Sequence, residues 1–193
     1  PLGNKTTYTY DCFGNLLSAT DALGNITTYT YNTTNQMHLN KANLLTITDA
    51  KGNITTYNYD SLDRLTKITD AANQIYQFSY DRQGNVISRI DANAKTTTYQ
   101  YDVLNRLYRI NYPDGSYVQY TLDNVGNITQ MQGSTGTTNY TYDKVNRLKS
   151  HLYPDATRLD YTYDLNGNRI TLETTGFGRV LYDYDSLNRL TKI

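Results

Sequence analysis

The sequence predicts an all-β fold made of tandem antiparallel β-hairpins, and three observations support that prediction. Of the 193 residues, 30 are Thr and 21 are Tyr, which favour strands, whereas 21 Asn and 17 Asp favour turns. A Tyr-x-Tyr-Asp motif recurs with a period of about 21 residues, and turn signals follow one another about every ten residues. No window shows a sustained helical period of about 3.6 residues.

The repeat extends over the whole chain. Its second aromatic residue, or the residue that replaces it, stands at positions 10, 31, 59, 80, 101, 122, 142, 163 and 184. Successive positions are 20 or 21 residues apart, except for one step of 28 that contains a seven-residue insertion near 33–41. We therefore interpret residues 1–193 as a single array of about nine units.

One unit illustrates how the sequence specifies a hairpin. The β-branched and aromatic segment 54–59 predicts a strand, with Tyr57 and Tyr59 on one face. The segment 60–63 predicts a tight turn, and 65–68 predicts the return strand. A hairpin of this size is marginally stable alone, so we expect each hairpin to pair with its neighbours in one curved strip.

The return strands carry a pattern that does not alternate cleanly. Their apolar anchors often lie three residues apart, and in a flat strand such residues point to opposite faces. Either both faces are partly covered, or a β-bulge falls between the anchors and bends the strand; we favour the bulge. The pairs are Leu65 and Ile68, Ile87 and Ile90, Leu107 and Ile110, Ile128 and Met131, and Leu190 and Ile193.

Two different endings follow the acid of most units. One is Gly-Asn, at 14–15, 84–85, 126–127 and 167–168; the other is Leu or Val, then Asn or Asp, then Arg-Leu, at 62–65, 104–107, 145–148 and 187–190. From Asp60 onward the two endings alternate strictly. The larger period is therefore about two units, and neighbouring turns are predicted to be non-equivalent in space.

These units resemble the YD repeats, also called Rhs repeats. The resemblance rests on Tyr-x-Tyr-Asp-x-x-Gly-Asn and Tyr-x-Tyr-Asp-x-Leu-Asn-Arg-Leu, and on the turns at 70–73 and 112–115. It covers essentially the whole chain and weakens at Asn32 and Leu122, where the Asp and the Tyr are lost. The family includes bacterial Rhs and other polymorphic toxins, shell subunits of insecticidal toxin complexes, and animal teneurins.

The resemblance implies a long β-strip that spirals into a hollow shell, which in the toxins holds a C-terminal toxic domain. The family's self-cleaving region follows the repeats and has no counterpart in this sequence. No catalytic residue is therefore carried over, and we interpret the chain as a fragment of a larger protein.

The repeat signature is predicted to be structural. We expect the recurring arginines to pair with the repeat aspartates or to cover tyrosine faces, and the tyrosine rings to form a ladder from hairpin to hairpin. The signature residues are Tyr8, Tyr10, Asp11, Tyr57, Tyr59, Asp60, Arg64, Tyr80, Asp81, Gly84, Tyr99, Tyr101, Asp102, Arg106, Tyr140, Tyr142, Asp143, Arg147, Tyr161, Tyr163, Asp164, Gly167, Tyr182, Tyr184, Asp185 and Arg189.

No catalytic, cofactor-binding or metal-binding residue is predicted. Nothing at a recognisable spacing pairs His38, His151 or Cys12 with a catalytic partner, and the segment 164–168 lacks the further ligands of a calcium loop. The 18 basic and 18 acidic residues cancel, which argues against nucleic-acid binding. The sequence shows no apolar run of membrane-spanning length and no leader peptide.

The sequence favours a non-catalytic wall segment of a shell that encapsulates a C-terminal toxin or effector domain. Its partners would be the rest of the parent shell and the enclosed cargo, and the family resemblance implies a secreted or cell-surface bacterial protein. The alternative is a cell-surface adhesion module that binds glycan or protein through exposed tyrosines. The free sheet edges also predict self-association at high concentration.

Overall fold

The computed structural model describes residues 5–32 and 42–193, and every regular element in these ranges is a β-strand. The predicted all-β class of consecutive antiparallel hairpins is therefore confirmed. Over the same ranges we find no helix long and apolar enough to cross a membrane. The chain divides into two compact units, Pro1–Thr97 and Thr98–Ile193, and the division falls within strand β9, Thr96–Tyr101.

The described residues of the first unit form eight complete strands, each antiparallel to the next along the chain. They are β1 (Thr7–Tyr10), β2 (Leu16–Thr20), β3 (Ile26–Tyr31), β4 (Leu44–Thr48), β5 (Ile54–Tyr59), β6 (Leu65–Thr69), β7 (Ile75–Tyr80) and β8 (Val86–Ile90). The strand predicted at 54–59 is β5, and the return strand predicted at 65–68 is β6.

The second unit continues the pattern from β9 through β17, and its last two strands form a separate two-stranded ladder. The strands are β10 (Leu107–Asn111), β11 (Tyr117–Leu122), β12 (Ile128–Gly133), β13 (Gly136–Tyr142), β14 (Leu148–Leu152), β15 (Arg158–Tyr163), β16 (Arg169–Thr174), β17 (Gly178–Leu181), β18 (Asp183–Tyr184) and β19 (Leu190–Lys192).

Most hairpin turns share one backbone geometry. The Asp63 amide donates to the Asp60 carbonyl at 3.1 Å, and the Asp60 amide donates to the Arg64 carbonyl at 3.0 Å. Asp63 adopts a left-handed φ of 59°, and the same position holds Asn105 at 60° and Gly84 at 93°. Gly, Asn and Asp enter this region at the lowest cost, which is why the two types of ending mark the turns.

In the part of the chain that the structure describes, a β-bulge interrupts the pairing at the same place in nine hairpins. In β5–β6, Tyr59 is opposite Leu65, but the residue before Tyr59 is opposite Lys67, so Thr66 is the extra residue. The bulge places Leu65 and Ile68 on the same face of the sheet. Equivalent shifts occur in β1–β2, β3–β4, β7–β8, β9–β10, β11–β12, β13–β14, β15–β16 and β18–β19. The predicted bulge is therefore confirmed.

One predicted pair of anchors is shifted by one residue. In β8, Val86 is opposite Tyr80, and Ile87 is the extra residue of the bulge. The positions equivalent to the other anchors are therefore Val86 and Arg89, and the predicted pair of Ile87 and Ile90 is wrong. Two adjacent apolar residues made the spacing ambiguous, and the register with the tyrosine strand decides it.

Each of the two compact units is a single layer of sheet. Among the described residues no apolar side chain is buried, and the buried residues are Thr138, Ser150 and Thr171. The repeat tyrosines lie on one face. The opposite face carries cross-strand hydroxyl pairs such as Thr30 and Thr46, whose Oγ1 atoms are 2.7 Å apart. Neither compact unit encloses an apolar core in its described part, so the contacts between strands carry the stability of the sheet.

Candidate functional site

The repeat aspartate organises the turn that follows it. Asp60 Oδ1 accepts the backbone amides of Leu62 and Arg64 at 2.9 and 3.0 Å, and Asp60 Oδ2 accepts Arg64 Nε at 2.7 Å. In a Gly-Asn unit, Asp81 Oδ1 accepts the Asn85 amide at 2.8 Å, and its Oδ2 accepts Asn85 Nδ2 at 2.9 Å. The carboxylate thus fixes the backbone of its own turn, whichever ending follows.

These hydrogen bonds hold the pKa of the repeat aspartates below the ordinary value of 3.8. For Asp60 the largest cause of the lowered pKa is the backbone amide of Arg64, and for Asp81 it is the side chain of Asn85. At Asp123 partial burial raises the pKa, but the hydrogen bonds from Asn127 and the turn amides outweigh it and the pKa is lowered. The carboxylates are therefore held ionised in the folded state.

The arginine of a unit also holds the next unit. Arg64 Nη1 donates to the Asp81 carbonyl at 2.8 Å, and the Arg64 guanidinium carbon lies 4.7 Å from the centre of the Tyr80 ring. Arg106 and Arg147 make the same backbone contact at 2.7 and 3.1 Å. The aspartate pairing and the tyrosine coverage, which the sequence predicts as alternatives, therefore occur together.

Units that end in Gly-Asn hold their neighbour differently. Asn127 Nδ2 donates to Asp123 in its own turn and to Asn146 Oδ1 in the next turn, the latter at 3.1 Å. Asn168 Nδ2 donates likewise to Asn188 Oδ1 at 2.9 Å. Arginine-to-carbonyl and asparagine-to-amide contacts therefore alternate along the chain. This alternation explains the two-unit period and makes neighbouring turns non-equivalent, as the sequence predicts.

The second tyrosine of a unit bonds to the backbone of the preceding unit. Tyr80 Oη donates to the Leu65 carbonyl at 2.7 Å. The β6–β7 ladder ends at the pair Lys67 and Gln77, so this carbonyl lies beyond the last pair, next to the bulge. The hydroxyl supplies the donor that the ladder no longer provides. Equivalent bonds of 2.8 to 3.1 Å are made by Tyr31, Tyr142, Tyr163 and Tyr184.

We call these contacts the interhairpin clamp: the repeat aspartate, the arginine or asparagine that ends its turn, and the second tyrosine of the next unit. The clamp is incomplete between the units that contain Arg106 and Leu122. There the arginine keeps its bonds to Asp102 and to the Asp123 carbonyl, but Leu122 has no hydroxyl to donate.

The predicted ladder of tyrosine rings is corrected by the structure. A return strand separates consecutive tyrosine strands, so these strands lie about 9.6 Å apart, more than the distance of about 4.5–7 Å between the centres of contacting rings. Side chains of the return strand occupy the space between them: the Arg169 guanidinium lies 4.6 Å from the Tyr182 ring. On β14, His151 stacks on Tyr140 and Tyr153 with ring centres 4.9 and 4.0 Å apart.

Partial burial shifts the pKa of several ring side chains on the tyrosine face. Desolvation lowers the pKa of His151, and its Nε2 atom is buried without a hydrogen-bond partner. Desolvation also raises the pKa of Tyr140 and Tyr161. Both shifts favour the neutral form of the ring, which suits packing against neighbouring side chains.

Two other positions considered in the sequence, Cys12 and the segment 164–168, lie in turns. Cys12 is exposed in a turn, and the segment 164–168 is an aspartate turn in which Asp164 accepts the Asn168 amide at 2.8 Å. His38 and the insertion near 33–41 lie outside the described residues. Over the described ranges, no three His, Cys, Asp or Glu residues form a group that could hold a metal ion.

The fold and the clamp define a class of protein, a repeat array in which the side chains of a Tyr-Asp signature bind each hairpin to the next. The family model of the teneurin YD-shell matches residues 2–130, which is 129 of the 193 residues. The chain therefore belongs to the YD-shell family, in agreement with the resemblance seen in the sequence. Among curated proteins, none matches the chain.

Solved structures of much longer proteins share this fold. The complex TcdB2-TccC3 without its hypervariable C-terminal region matches with a TM-score of 0.69 at 19% identity, over 95% of this chain and 12% of that one. The Tc holotoxin pore of Photorhabdus luminescens matches with a TM-score of 0.64 at 16% identity, over 97% and 16%. At these identities the similarity shows the shared fold, and this chain spans about an eighth to a sixth of those proteins.

Proposed function

We propose that the chain is a non-catalytic segment of the wall of a YD-repeat shell that encloses a C-terminal toxin or effector domain. The interhairpin clamp is the observation that carries this proposal. The polar atoms of Asp60, Arg64 and Tyr80 bind the backbone and side chains of their own array, turn after turn. Because the signature side chains bind other parts of the array, they hold the repeats together as a continuous surface and are not arranged as a reaction site.

The single-layer architecture also supports a wall. A domain of this length ordinarily buries an apolar core between two layers. Here no apolar side chain of the described residues is buried, and the repeat tyrosines of one face are mostly half-covered. A sheet of this kind separates two spaces while each strand is held by its neighbours.

The proposed shell requires more chain than this segment supplies. With β17 and β18 counted together as one side of the last hairpin, eighteen strands at a spacing of about 4.8 Å form a strip roughly 86 Å long. A closed ring of that length is only about 27 Å across. A folded domain of 150 residues is about 30 Å or more in diameter. The proposed partners are therefore the remaining repeats of the parent protein and the cargo that they enclose together.

The proposed location follows from the proposed role. A shell that carries a toxin acts outside the cell that makes it, so we propose that the parent protein is secreted or displayed at a bacterial cell surface. Fractionation of the source cells, with antibody detection of this segment, tests that location. Recovery of the protein only from the cytosol of actively secreting cells would contradict it.

Protection of the cargo in the whole parent protein tests the wall function. We expect the segment after the repeats to resist a protease that digests the same segment when it is expressed alone. Replacing Arg64, Arg106 and Arg147 together by Ala removes the arginine contacts at three junctions between units, so the segment should then be digested. Equal digestion of the segment in the wild-type protein and in isolation would contradict the proposal.

A matched control separates the clamp from the loss of positive charge. The triple replacement of Arg82, Arg89 and Arg179 by Ala removes the same charge from exposed positions outside the clamp. Protection should then remain at the wild-type level. Digestion in this control as well would mean that charge alone, and not the clamp, closes the wall.

A second candidate function is adhesion through exposed tyrosines. Tyr8 and Tyr10 are 54% and 58% exposed, and Tyr112 and Tyr153 are 38% exposed. Such rings could stack on a sugar or a protein surface. Glycan-array binding that disappears in the Tyr8→Ala/Tyr10→Ala variant, with an unchanged far-ultraviolet circular dichroism spectrum, would favour adhesion over the wall function.

A further inference from the structure

A histidine occupies a place that most other hairpins fill with an apolar residue. His151 of β14 is opposite Tyr140, the first aromatic residue of its unit. Six other hairpins carry an aliphatic or thioether side chain opposite that aromatic residue, and the exposed Arg89 takes the place in β8. The six are Ala19, Ile47, Ile68, Ile110, Met131 and Leu172. Among the described strands, His151 is therefore the one side chain in this place that can change its charge near neutral pH.

Aromatic rings pack against the imidazole of His151. Its centre lies 4.9 Å from the centre of the Tyr140 ring and 4.0 Å from the centre of the Tyr153 ring. The Nε2 atom of His151 is buried and has no hydrogen-bond partner within the described residues. Both nitrogens of a protonated imidazole carry N–H groups, so protonation would bury a charged donor at Nε2 without an acceptor. Protonation of His151 is therefore costly in the folded sheet.

The groups that face the imidazole from the neighbouring strands carry no negative charge. Leu159 is opposite His151 on β15, and Tyr161 is the next residue of β15 on the same face. The Arg169 guanidinium of β16 lies 6.0 Å from the centre of the Tyr161 ring, and its positive charge disfavours a second one nearby. On β13 and at the end of β14, the facing groups are the two phenols just described, which are neutral at and below neutral pH.

The carboxylates of these strands lie on the other face of the sheet. Asp160 and Glu173 are the acidic residues of strands β13 to β16. Asp160 is opposite Ser150 and Glu173, on the face that carries the hydroxyl pairs, so neither carboxylate can pair with His151 on the tyrosine face. Desolvation accordingly lowers the pKa of His151 below its ordinary value of 6.5.

We propose that protonation of His151 opens the sheet locally at β13, β14 and β15, which makes this junction an acid-sensitive switch. The open strands bind a proton more readily than the folded strands, so the junction is most stable above pH 6.5 and loses stability as the pH falls below that value. The repeat aspartates stay ionised down to about pH 4, so the other hairpins keep their stability between about pH 7.5 and pH 5. The switch goes beyond the wall function, since it depends on the contacts of one strand and on no enclosed cargo.

Hydrogen exchange at about pH 7.5 and pH 5, corrected for the intrinsic exchange rates, tests the switch. The amides that bond β14 to β13 and to β15 should lose protection about threefold or more at the lower pH, because the open strands bind the proton more tightly. The β6 amides, where Ile68 takes the place of His151, should keep their protection. His151→Leu, which introduces the residue that β16 carries at Leu172, should remove the pH dependence. Unchanged protection in β14, an equal loss in β6, or a pH dependence that persists in His151→Leu would overturn the proposal.

An NMR titration of the imidazole tests its surroundings independently of exchange. In a His38→Gln background His151 is the one remaining histidine, and its ring protons should titrate with a midpoint below pH 6.5. Tyr153→Ala uncovers the ring, so the midpoint should move up toward pH 6.5. Tyr112→Ala is the matched control, because Tyr112 begins the equivalent turn of another unit, and it should leave the midpoint unchanged. A wild-type midpoint at or above pH 6.5, or equal shifts in the two tyrosine variants, would refute the switch.

Discussion

The hydroxyl of Tyr80 offers the cleanest test of the interhairpin clamp. Tyr80→Phe removes only the Oη atom, which donates to the Leu65 carbonyl at 2.7 Å, and it leaves the ring beneath the Arg64 guanidinium. That carbonyl lies beyond the end of the β6–β7 ladder, so the strand pairing supplies no replacement donor. A hydrogen bond of this kind contributes about 0.5–1.5 kcal/mol net, and a carbonyl left without a donor costs about 1–3 kcal/mol.

We therefore expect Tyr80→Phe to lower the free energy of unfolding by about 1 kcal/mol. Urea unfolding followed by far-ultraviolet circular dichroism measures this change, provided that the slope of the transition stays the same. Tyr76→Phe is the matched control on the same strand, because the Tyr76 hydroxyl makes no hydrogen bond within the described residues. The control should change the free energy of unfolding by less than about 0.5 kcal/mol.

Two results would refute the reasoning behind this prediction. Equal losses in Tyr80→Phe and Tyr76→Phe would mean that the loss reflects a change in the ring and not the bond to Leu65. An unchanged free energy in Tyr80→Phe would mean that water satisfies the carbonyl equally well, so the tyrosine would not hold the preceding hairpin.

Three further predictions follow from the turns and the bulge. Hydrogen bonds lower the pKa of the repeat aspartates in the folded chain, so the stability that these carboxylates add is complete above about pH 4 and is lost as the pH falls below their ordinary pKa. The urea concentration at the midpoint of unfolding should therefore fall between about pH 4 and pH 2. A midpoint that stays level or rises over this range would contradict the prediction. Gly84→Ala should cost about 1–2 kcal/mol in urea unfolding although no atom lies within 4 Å of the added Cβ, because φ is +93° there; a neutral result would argue against backbone strain at this turn. Deleting Thr66 should move Leu65 or Ile68 to the other face of the sheet and expose the β6 amides to hydrogen exchange, whereas Thr66→Ala should do neither. If the β6 amides stay protected in the deletion variant, the bulge is dispensable.

The hairpins could be predicted from the sequence because local chemistry fixes them. The β-branched and aromatic run that forms β5, and the Asp-to-Asn or Asp-to-Gly turns, each favour one backbone conformation. The bulge was predictable for a related reason. Leu65 and Ile68 are three residues apart, and both can lie on the tyrosine face only if one residue between them is extra.

The bond from the second tyrosine to the preceding unit could not be predicted from residue types. Its acceptor is a backbone carbonyl, which has no sequence signature, and which carbonyl lies outside the ladder depends on where the bulge ends the pairing. The one trace in the sequence is a nearly constant separation: Tyr80 follows Leu65 by 15 positions and Tyr163 follows Leu148 by 15, whereas Tyr142 follows Ile128 by 14.

The predicted ladder of tyrosine rings was wrong because the strands that carry the tyrosines are not adjacent in the sheet. Each hairpin contributes a return strand between them, which doubles the distance and inserts side chains such as Arg64 and Arg147 between neighbouring rings. The alternation of Arg and Asn endings was visible in the sequence. Its meaning required the structure, since only the contacts of Arg64 and Asn127 show that the two endings hold the next unit by different atoms.

Native-state hydrogen exchange of β6 tests the central claim most directly, namely that hairpins bind their neighbours as firmly as the two strands of one hairpin bind each other. The account predicts comparable protection for the β6 amides that bond to β5 and for those that bond to β7, with parallel loss of both as urea is added. Strong protection on the β5 side together with unprotected exchange on the β7 side would contradict it, because the hairpins would then be separate modules joined only by their turns.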